Sequence, residues 1–494
     1  MTKVDPAHVP VIISVSQETE RETLVNTLDL AEKAANKVLE GAGIVKDTID
    51  RFTLVAVLFS HCPKDAPRIL AQKLGLTNAV AENSSHGGNA PQFLVNRACE
   101  DISRGLIRSA MIVGAETTRS MRLGEPGVDF LKVSSSNLEI EKTGTTIGPT
   151  LDGMVSNAET RAGVTKPSVV YPMFENILAK KAGKDHQEQR QVIAEVMSRF
   201  TEIAEKNPHA WFKRFQTPEE IATVTESNRL IAEPYTRSMN SFPNVDQSSA
   251  ILITNLEIAK KARLSDQGVF PWSGAETKEI QCSARPDIGS SPAMTLAANA
   301  ALRESEISID DVAHIDFYSC FPSAVEIAAE GLGLNLLDER AFTVTGGLPY
   351  FGGPGNNYTT HAIASMVDLI RESHGKGFIS ANGGFMSKHA AGIYSGEPRE
   401  RGFTLADTAQ EQEVIFNSAL PVVQEGEGEA VVEATTVTYD RNGRPARAPI
   451  IATLVDGSRI AARASIETLK GVYGKNLIGE KVKVFGSPAE YDLV

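Results

Sequence analysis

An internal repeat constrains the fold of this chain more than any other feature of its sequence. The stretch from Leu28 to Phe52 returns between Leu296 and Ile315, with matched residues at one constant offset of 263 positions. The matched pairs are Asn36 and Asn299, Leu39 and Leu302, Ile44 and Ile307, Asp47 and Asp310, and Ile49 and Val312. An offset shared through helix, loop and strand favours duplication over chance similarity between two amphipathic helices.

A second repeat lies further along each copy. Gly87-Gly88-Asn89 opens a helix-like run that leads into an apolar strand, and Gly352-Gly353-Pro354 stands in the corresponding place. A small-residue loop at a helix start exposes backbone N–H groups, which suits an oxyanion, a carbonyl or a phosphate. The alternative is a tight turn whose glycines only permit close packing. The two repeats predict two βαβ-type halves, residues 1–255 and 256–400.

The alternation of strands and helices predicts the fold class. In the first half the pattern indicates strands at 11–14 and 49–59 and helices at 28–42 and 66–74. Such alternation is typical of an α/β fold, with a mostly parallel sheet covered on both faces. Residues 127–240 break this pattern with a long charged helical stretch, 174–206, which we interpret as an insertion that lies over the sheet and forms one wall of a ligand site.

The last part of the chain, residues 401–494, has a different pattern. Glu429 to Tyr439 alternates like a half-buried strand, and Asp440-Arg441-Asn442-Gly443 is a hairpin signal. Further strands at 450–454 and 459–464, with a last strand at 481–485, predict a small, mostly antiparallel, barrel-like domain, with the OB type as one option. Because aromatic and basic residues are hardly interleaved there, a packing or partner-binding module is expected rather than a nucleic-acid site.

The composition limits the class of protein. A chain of 494 residues is longer than one core supports, so two or three domains are expected. A net charge of −13 argues against broad binding of nucleic acid or anionic membranes. No stretch holds the ~18 apolar residues of a membrane span, and the first residues lack a secretory signal, so a cytoplasmic protein is expected. The cysteines, which form no zinc or disulfide pattern, are Cys62, Cys99, Cys282 and Cys320.

Several motifs are similar to those of the sterol-carrier type thiolases. They are Asn207-Pro208, Thr217-Pro218-Glu219-Glu220-Ile221, the run Ser227 to Pro234, the run Phe242 to Ala250, Gly114-Ala115-Glu116 and the run Asp316 to Phe321. In order and spacing they cover about the first 400 residues, so the chain resembles the thiolase superfamily. With the barrel-like tail it is most similar to the type 1 thiolase-like proteins. The resemblance implies a duplicated fold with αβαβα layers that binds acyl-CoA or a related thioester.

The resemblance also implies where the catalytic side chains of a thiolase would stand, and this chain has other residues at each of those positions. Thiolases need a thiolate nucleophile, a histidine that activates it, a second cysteine for proton transfer, and oxyanion holes. The nucleophile's position is Gly88, and that of the activating histidine is Gly353. Ser380 replaces the second cysteine, and Tyr318 replaces the asparagine or histidine of the first oxyanion hole. Because glycine cannot form a thioester, ordinary thiolase turnover is not expected.

A few groups remain as candidates for chemistry. The N–H of Gly88 and the turn from Asn382 to Gly384 can cradle a carbonyl. His86 is either a base or oxyanion donor or a histidine held by the turn backbone. Cys320 is either a displaced nucleophile or a buried inert thiol. Candidates with less support are His361, His389 and the pair His61 and Cys62.

Lys213 and Arg214 fall where the resemblance implies a basic residue near the adenosine phosphates of CoA. The alternative is that the two residues are a solvated charge pair with no ligand. We expect no required cofactor and no metal site, with coenzyme A or acyl-CoA as the ligand. The leading hypothesis is an acetyl-CoA acetyltransferase-like protein of lipid metabolism that transfers an acyl group without cysteine or only holds the ligand. The alternatives are a scaffold subunit of an acyl-CoA-metabolising complex, with the tail as its partner-binding part, and a transferase whose partner supplies the missing groups. Either a monomer or a homodimer fits these hypotheses.

Overall fold

The computed structural model describes residues 4–143 and 145–494. The helices are α1 (Thr27–Leu39), α2 (Ala66–Lys73), α3 (Ala90–Ser103), α4 (Thr118–Gly124), α5 (Phe130–Thr143), α6 (Asn157–Ala162), α7 (Pro167–Lys181), α8 (His186–Lys206), α9 (Pro218–Ala222), α10 (Leu256–Lys261), α11 (Pro292–Ser305), α12 (Pro322–Gly331), α13 (Gly347–Tyr350), α14 (Tyr358–Ser373), α15 (Ala409–Asn417) and α16 (Ile466–Gly471). In this described part of the chain, no helix combines the length and the apolar character needed to cross a membrane.

The strands form two sheets in the core and further sheets in the insertion and the tail. They are β1 (Pro10–Thr19), β2 (Ile49–Leu54), β3 (Val80–Ser84), β4 (Ser109–Thr117), β5 (Thr146–Ile147), β6 (Leu230–Ala232), β7 (Tyr235–Thr236), β8 (Asp246–Asn255), β9 (Phe270–Lys278), β10 (His314–Phe317), β11 (Lys376–Gly383), β12 (Lys388–Ser395), β13 (Thr404–Leu405), β14 (Val422–Val423), β15 (Gly428–Thr435), β16 (Thr438–Tyr439), β17 (Pro445–Arg447), β18 (Pro449–Leu454), β19 (Arg459–Ala464), β20 (Lys481–Phe485) and β21 (Glu490–Leu493).

The topology confirms the duplication. The first sheet has the order β1-β8-β4-β2-β3-β5, and the second has the order β10-β11-β12-β9-β13. β10, β11, β12 and β9 are neighbours in the second sheet as β2, β4, β8 and β1 are in the first. β10 runs parallel to β11 as β2 does to β4, whereas β12 and β8 run antiparallel to both of their neighbours. Both sheets are therefore mixed: three of the five strand pairings in the first order are parallel, and two of the four in the second. The expectation of a mostly parallel sheet holds narrowly for the first sheet and was wrong for the second.

The helices complete the five-layered αβαβα arrangement. α3 and α14 contact each other and strands of both sheets, so they form the central layer. α1 packs against the first sheet and α11 against the second, at corresponding places in the two copies. The side chain of Asn26 accepts a hydrogen bond from the N–H of Asp29, which fixes the start of α1. The strand predicted for 49–59 ends already at Leu54.

The insertion and the tail pack on each other. The predicted helical stretch 174–206 is two helices, because α7 ends near Gly183, with φ of +68°, and a capping box between Asp185 and Glu188 starts α8. In the tail, β15, β18, β19, β21 and β20 close into a five-stranded barrel, which confirms the barrel-like domain and agrees with an OB-type arrangement. The sequence pattern missed β21, which closes the barrel.

Candidate functional site

The two glycine loops have the same backbone design. The first leads from β3 to α3, and the second leads into α14. In each loop the first glycine has a positive φ, +139° at Gly87 and +113° at Gly352, a region that favours glycine. Gly88 and Gly353 have φ values that other residues adopt. The backbone therefore requires a glycine at the first position of each pair and not at the second.

The space beside Gly88 is occupied by Tyr318. A Cβ atom added at Gly88 would overlap with Cζ, Cε2 and Oη of that tyrosine, closer than real Cβ atoms come to any neighbour. The ring is held edge-on against Tyr358, with centroids 5.4 Å apart, and the backbone N–H of Tyr318 donates to the carbonyl of Ser380 at 2.9 Å. Two of the positions implied by the resemblance, Gly88 and Tyr318, are thus in direct contact, and the phenol lies where a nucleophile's side chain would start.

The phenol of Tyr318 is available as a hydrogen-bond donor. Tyr318 is half-buried. Within the described part of the chain, its hydroxyl has no hydrogen-bond partner. Burial raises the pKa of Tyr318 above its ordinary value, so the hydroxyl keeps its proton at neutral pH. This group can donate to a carbonyl but is a poor nucleophile.

Gly353 has a different neighbour. A Cβ atom there would overlap with Oγ of Ser241, and the next atom, the carbonyl oxygen of Phe242, would be 3.5 Å away. The N–H of Gly353 donates to that carbonyl at 2.8 Å, and the N–H of Ser241 donates to the carbonyl of Cys320 at 3.2 Å. A serine hydroxyl therefore lies beside the position that the resemblance implies for an activating histidine.

His86 is a structural histidine of the first loop. Its Nε2 donates to the carbonyl of Asn137 at 3.2 Å, and its Nδ1 accepts from the side-chain amide of Asn356 at 3.0 Å. The same Asn356 donates to the carbonyl of Ala56 and accepts from the N–H of Gly87. Burial lowers the pKa of His86 to about 4, so the ring is neutral near pH 7. The geometry supports a histidine held in place by hydrogen bonds, but its partners are Asn137 in α5 and Asn356 of the second loop and not the backbone of its own turn.

Cys320 is a buried thiol beside Tyr171 and Asn382. Burial raises its pKa to about 12, so it holds its proton at neutral pH, which fits the inert-thiol interpretation. The hydroxyl of Tyr171 lies 3.1 Å from Oδ1 of Asn382 and 3.2 Å from the carbonyl of Gly384. Nδ2 of Asn382 is buried without a hydrogen-bond partner in the part of the chain that the structure describes. Ser380 is also buried and pairs with Phe317 across the strands.

The remaining histidine candidates do not join this site. Nδ1 of His361 donates to Oε1 of Gln17 at 3.0 Å, and burial lowers the pKa of His361 well below its usual value. His389 donates through Nε2 to the carbonyl of Met386, and burial lowers its pKa to about 3. His61 is exposed and lies 3.1 Å from Glu125. Its neighbour Cys62 has a pKa that burial raises to about 12.

Lys213 and Arg214 are exposed and lie near the second glycine loop. The N–H groups of Trp211 and Phe212, which directly precede them, donate to the carbonyls of Phe351 and Tyr350 at 2.8 and 3.0 Å. Arg214 forms an ion pair with Glu220. Among the described residues, Lys213 has no ion pair.

Sequence reasoning missed Ser241, Asn356 and Lys388. Lys388 is buried beside Gly87, donates to the carbonyls of His86 and Pro149, and has a pKa that burial lowers to about 8. Asn356 lies three residues after Gly353, so the repeat itself could have identified it as a residue of the loop. No sequence signal marks Ser241 or Lys388, because their contacts join segments far apart in the chain.

Known proteins with the same architecture support this description. A family profile, the thiolase-like protein type 1 additional C-terminal domain, matches residues 411–486. A monomeric SCP2-thiolase like protein type 1 from Mycobacterium smegmatis is 31% identical, with a TM-score of 0.84, over 99% of this chain and 100% of that chain. A thiolase from Ascaris suum, solved in complex with coenzyme A, is 16% identical, with a TM-score of 0.57, over 78% of this chain and 99% of that chain.

A curated relative matches a shorter part of the chain. The β-ketoacyl-[acyl-carrier-protein] synthase III of Lactococcus lactis is 36% identical over 93 residues, which are 18% of this chain and 28% of that protein. The duplicated, five-layered fold is that of the thiolase superfamily. Within it, the chain belongs to the SCP2-thiolase-like protein type 1 family.

Proposed function

We propose that the protein binds a CoA thioester and does not carry the acyl group on its own chain. The observation that carries this proposal is the contact between Gly88 and Tyr318. Gly88, the position at which resemblance to the thiolases implies a nucleophile, has no side chain. The space beside it is filled by the uncharged phenol of Tyr318, whose hydroxyl is free to donate a hydrogen bond. A phenol hydroxyl in a half-buried site is a suitable partner for a thioester carbonyl.

The residues at and around Gly353 and Cys320 also argue against a covalent acyl-enzyme intermediate. Gly353 offers no base, and the hydroxyl that fills its space, on Ser241, cannot activate a thiol at neutral pH. Cys320, the thiol two residues after Tyr318, keeps its proton because burial raises its pKa. A thioester held in this site would therefore stay intact, or would react in a single step with another substrate.

CoA itself would be held through its phosphates by Lys213. This lysine is exposed beside the second glycine loop and has no ion pair in the described part of the chain, whereas Arg214 is partly engaged by Glu220. A cation without a counter-ion gains more from a phosphate than a paired one does. Relatives of this fold have been solved with CoA bound, including the thiolase from Ascaris suum.

A non-catalytic scaffold is the second candidate. The rings of Tyr171, Phe321 and Tyr235 stack beside Cys320, with centroids 4.7 and 5.9 Å apart, and all three are buried. A filled aromatic stack next to the site favours a closed, ligand-free protein. The barrel would then be the part that contacts a partner, as the sequence pattern suggests.

Calorimetric titration of CoA and acetyl-CoA, with intact mass measured after each titration, distinguishes these functions. We expect both ligands to bind and the mass of the protein to stay unchanged. The double variant Lys213→Glu/Arg214→Glu should bind CoA about tenfold more weakly, since it loses at least one charged hydrogen bond. The matched control is Lys260→Glu/Lys261→Glu, in which Lys261 is paired with Glu257 as Arg214 is with Glu220.

Three outcomes would contradict the proposal. A covalent acyl adduct on the wild-type protein would show that a nucleophile remains. Absence of CoA binding would favour the scaffold. Equal loss of binding in the two double variants would show that general charge, and not the Lys213 site, attracts CoA.

A further inference from the structure

A cleft of about 300 Å³ lies where the barrel meets the rest of the molecule. Three separate parts of the chain form its walls: the last turn of α7, the segment 286–288 that follows β9, and the barrel strands β15 and β19. Clefts at the junction of structural units are common sites for small ligands, and 300 Å³ is at the lower end of the usual range. None of the residues assigned above to the thioester site lines it.

The cleft has an apolar part. Ile177 from α7, Ile288 from the core and Ile478 from the barrel each contribute an aliphatic side chain to its lining. These three residues are buried or half-buried. A ligand with an aliphatic body would bury additional apolar surface here.

The charged residues of the lining carry an excess of one positive charge. Lys181 is paired with Asp287 at 2.7 Å, and Arg459 lies 3.6 Å from Glu433. Lys180 completes the set and is exposed; in residues 4–143 and 145–494 it has no ion pair. An anionic group in the cleft would therefore face three cations and two carboxylates.

Arg459 is the independent observation that points to a ligand. It is only 5% exposed, yet Nε has no hydrogen-bond partner among the described residues. Nη1 lies 3.6 Å from Oε1 of Glu433, which is an ion-pair distance but too long for a hydrogen bond. Its Nη2 donates to the carbonyl of Pro286 at 3.3 Å. A buried guanidinium with unpaired donors is costly unless a further acceptor reaches it.

We propose that this cleft binds an organic anion with a short aliphatic body, and that one role of the additional C-terminal barrel is to complete the site. Arg459 and Lys180 hold the anionic head, and the three isoleucines contact the body. A carboxylate and a phosphate monoester share this chemistry. The proposal goes beyond the thioester function and does not depend on it.

The test uses the full-length protein and three probes of equal chain length: octanoate, octyl phosphate and 1-octanol. Binding is measured by calorimetry at low and at moderate salt. We expect at least one anion to bind, more weakly at higher salt, and 1-octanol to bind at least about tenfold more weakly than that anion. Binding of only one anion would identify the head group and support the proposal.

Two variants locate the binding. Lys180→Glu should weaken the anion about tenfold, because it replaces an attractive charge with a repulsive one. Lys206→Glu is the matched control, since Lys206 is an exposed lysine in the last turn of α8 and is remote from the lining. Its affinity should stay within about twofold of the wild type.

The proposal is overturned if neither anion binds, if 1-octanol binds as tightly as the anions, or if Lys180→Glu and Lys206→Glu have the same effect. Titration of CoA into Lys180→Glu separates this site from the thioester site. CoA should bind that variant as it binds the wild type. A loss of CoA binding equal to the loss of octanoate binding would show one shared site and would also overturn the proposal.

Discussion

The two glycine loops have similar backbones, but the space next to them is filled in different ways. Beside Gly88 lies an aromatic ring that is itself held by Tyr358, whereas beside Gly353 lies only the hydroxyl of Ser241. A ring packed edge-on against another ring makes room at a higher cost than a hydroxyl, which can rotate away. The ring of Tyr318 therefore leaves no space for a side chain at position 88. At position 353 a small side chain can be accommodated if the hydroxyl of Ser241 rotates.

The largest expected effect is a loss of stability when a side chain is added to the first glycine loop. Gly88→Ala should lower the free energy of unfolding by about 3 kcal/mol, because the added methyl group overlaps with ring atoms of Tyr318. Urea denaturation followed by circular dichroism measures the change. In a Tyr318→Ala background the same substitution should cost less than about 1 kcal/mol, since the ring is gone. An equal cost in both backgrounds would mean that Tyr318 does not close the position.

A smaller effect concerns pH, because only the first loop contains a titrating histidine. Burial lowers the pKa of His86 from 6.5 to about 4. Between these values the unfolded chain binds more protons than the folded one, so stability falls as the pH drops from 6.5 towards 4. At pH 5 His86 should account for a loss of about 2 kcal/mol.

Comparison of the wild type with His86→Gln isolates the contribution of His86 to the free energy of unfolding. Urea denaturation of both proteins at several pH values between 4 and 7 should show a stability difference that shrinks on acidification. His361 and His389, which are also buried, contribute to both curves and cancel in the difference. A difference that is constant with pH would show that His86 does not carry the shifted pKa.

The smallest expected effect is at the second loop. Gly353→Ala should change the free energy of unfolding by less than about 1 kcal/mol, since Ser241 can rotate and alanine reduces the freedom of the unfolded chain. The same denaturation experiment applies. A cost as large as that of Gly88→Ala would remove the difference between the loops on which this comparison rests.

The sequence was informative where local patterns repeat. The constant offset predicted the duplication, and the alternation in the tail predicted the barrel, because both depend on periodicity along short stretches. The strand predicted to end at Phe59 stops at Leu54, and the last barrel strand, β21, was missed because four residues carry too little pattern.

The site was predictable only in part. The resemblance identified the positions of Gly88, Tyr318 and Gly353, but it could not show that Tyr318 fills the space beside Gly88. That contact depends on how two distant segments pack. The same reason hid Ser241, Lys388 and the bridging role of Asn356, whose amide links the two loops.

We propose that the hydroxyl of Tyr318 donates a hydrogen bond to a thioester carbonyl beside Gly88, the position that the resemblance implies for the nucleophile. Carbon NMR of acetyl-CoA labelled at the acetyl carbonyl tests it directly, with wild type and with Tyr318→Phe, which keeps the ring and removes only the donor. We predict that the carbonyl resonance shifts on binding to the wild type, that the shift is lost in Tyr318→Phe, and that affinity falls about fivefold to tenfold. The same shift in both proteins, or a covalent acetyl adduct, would contradict the account.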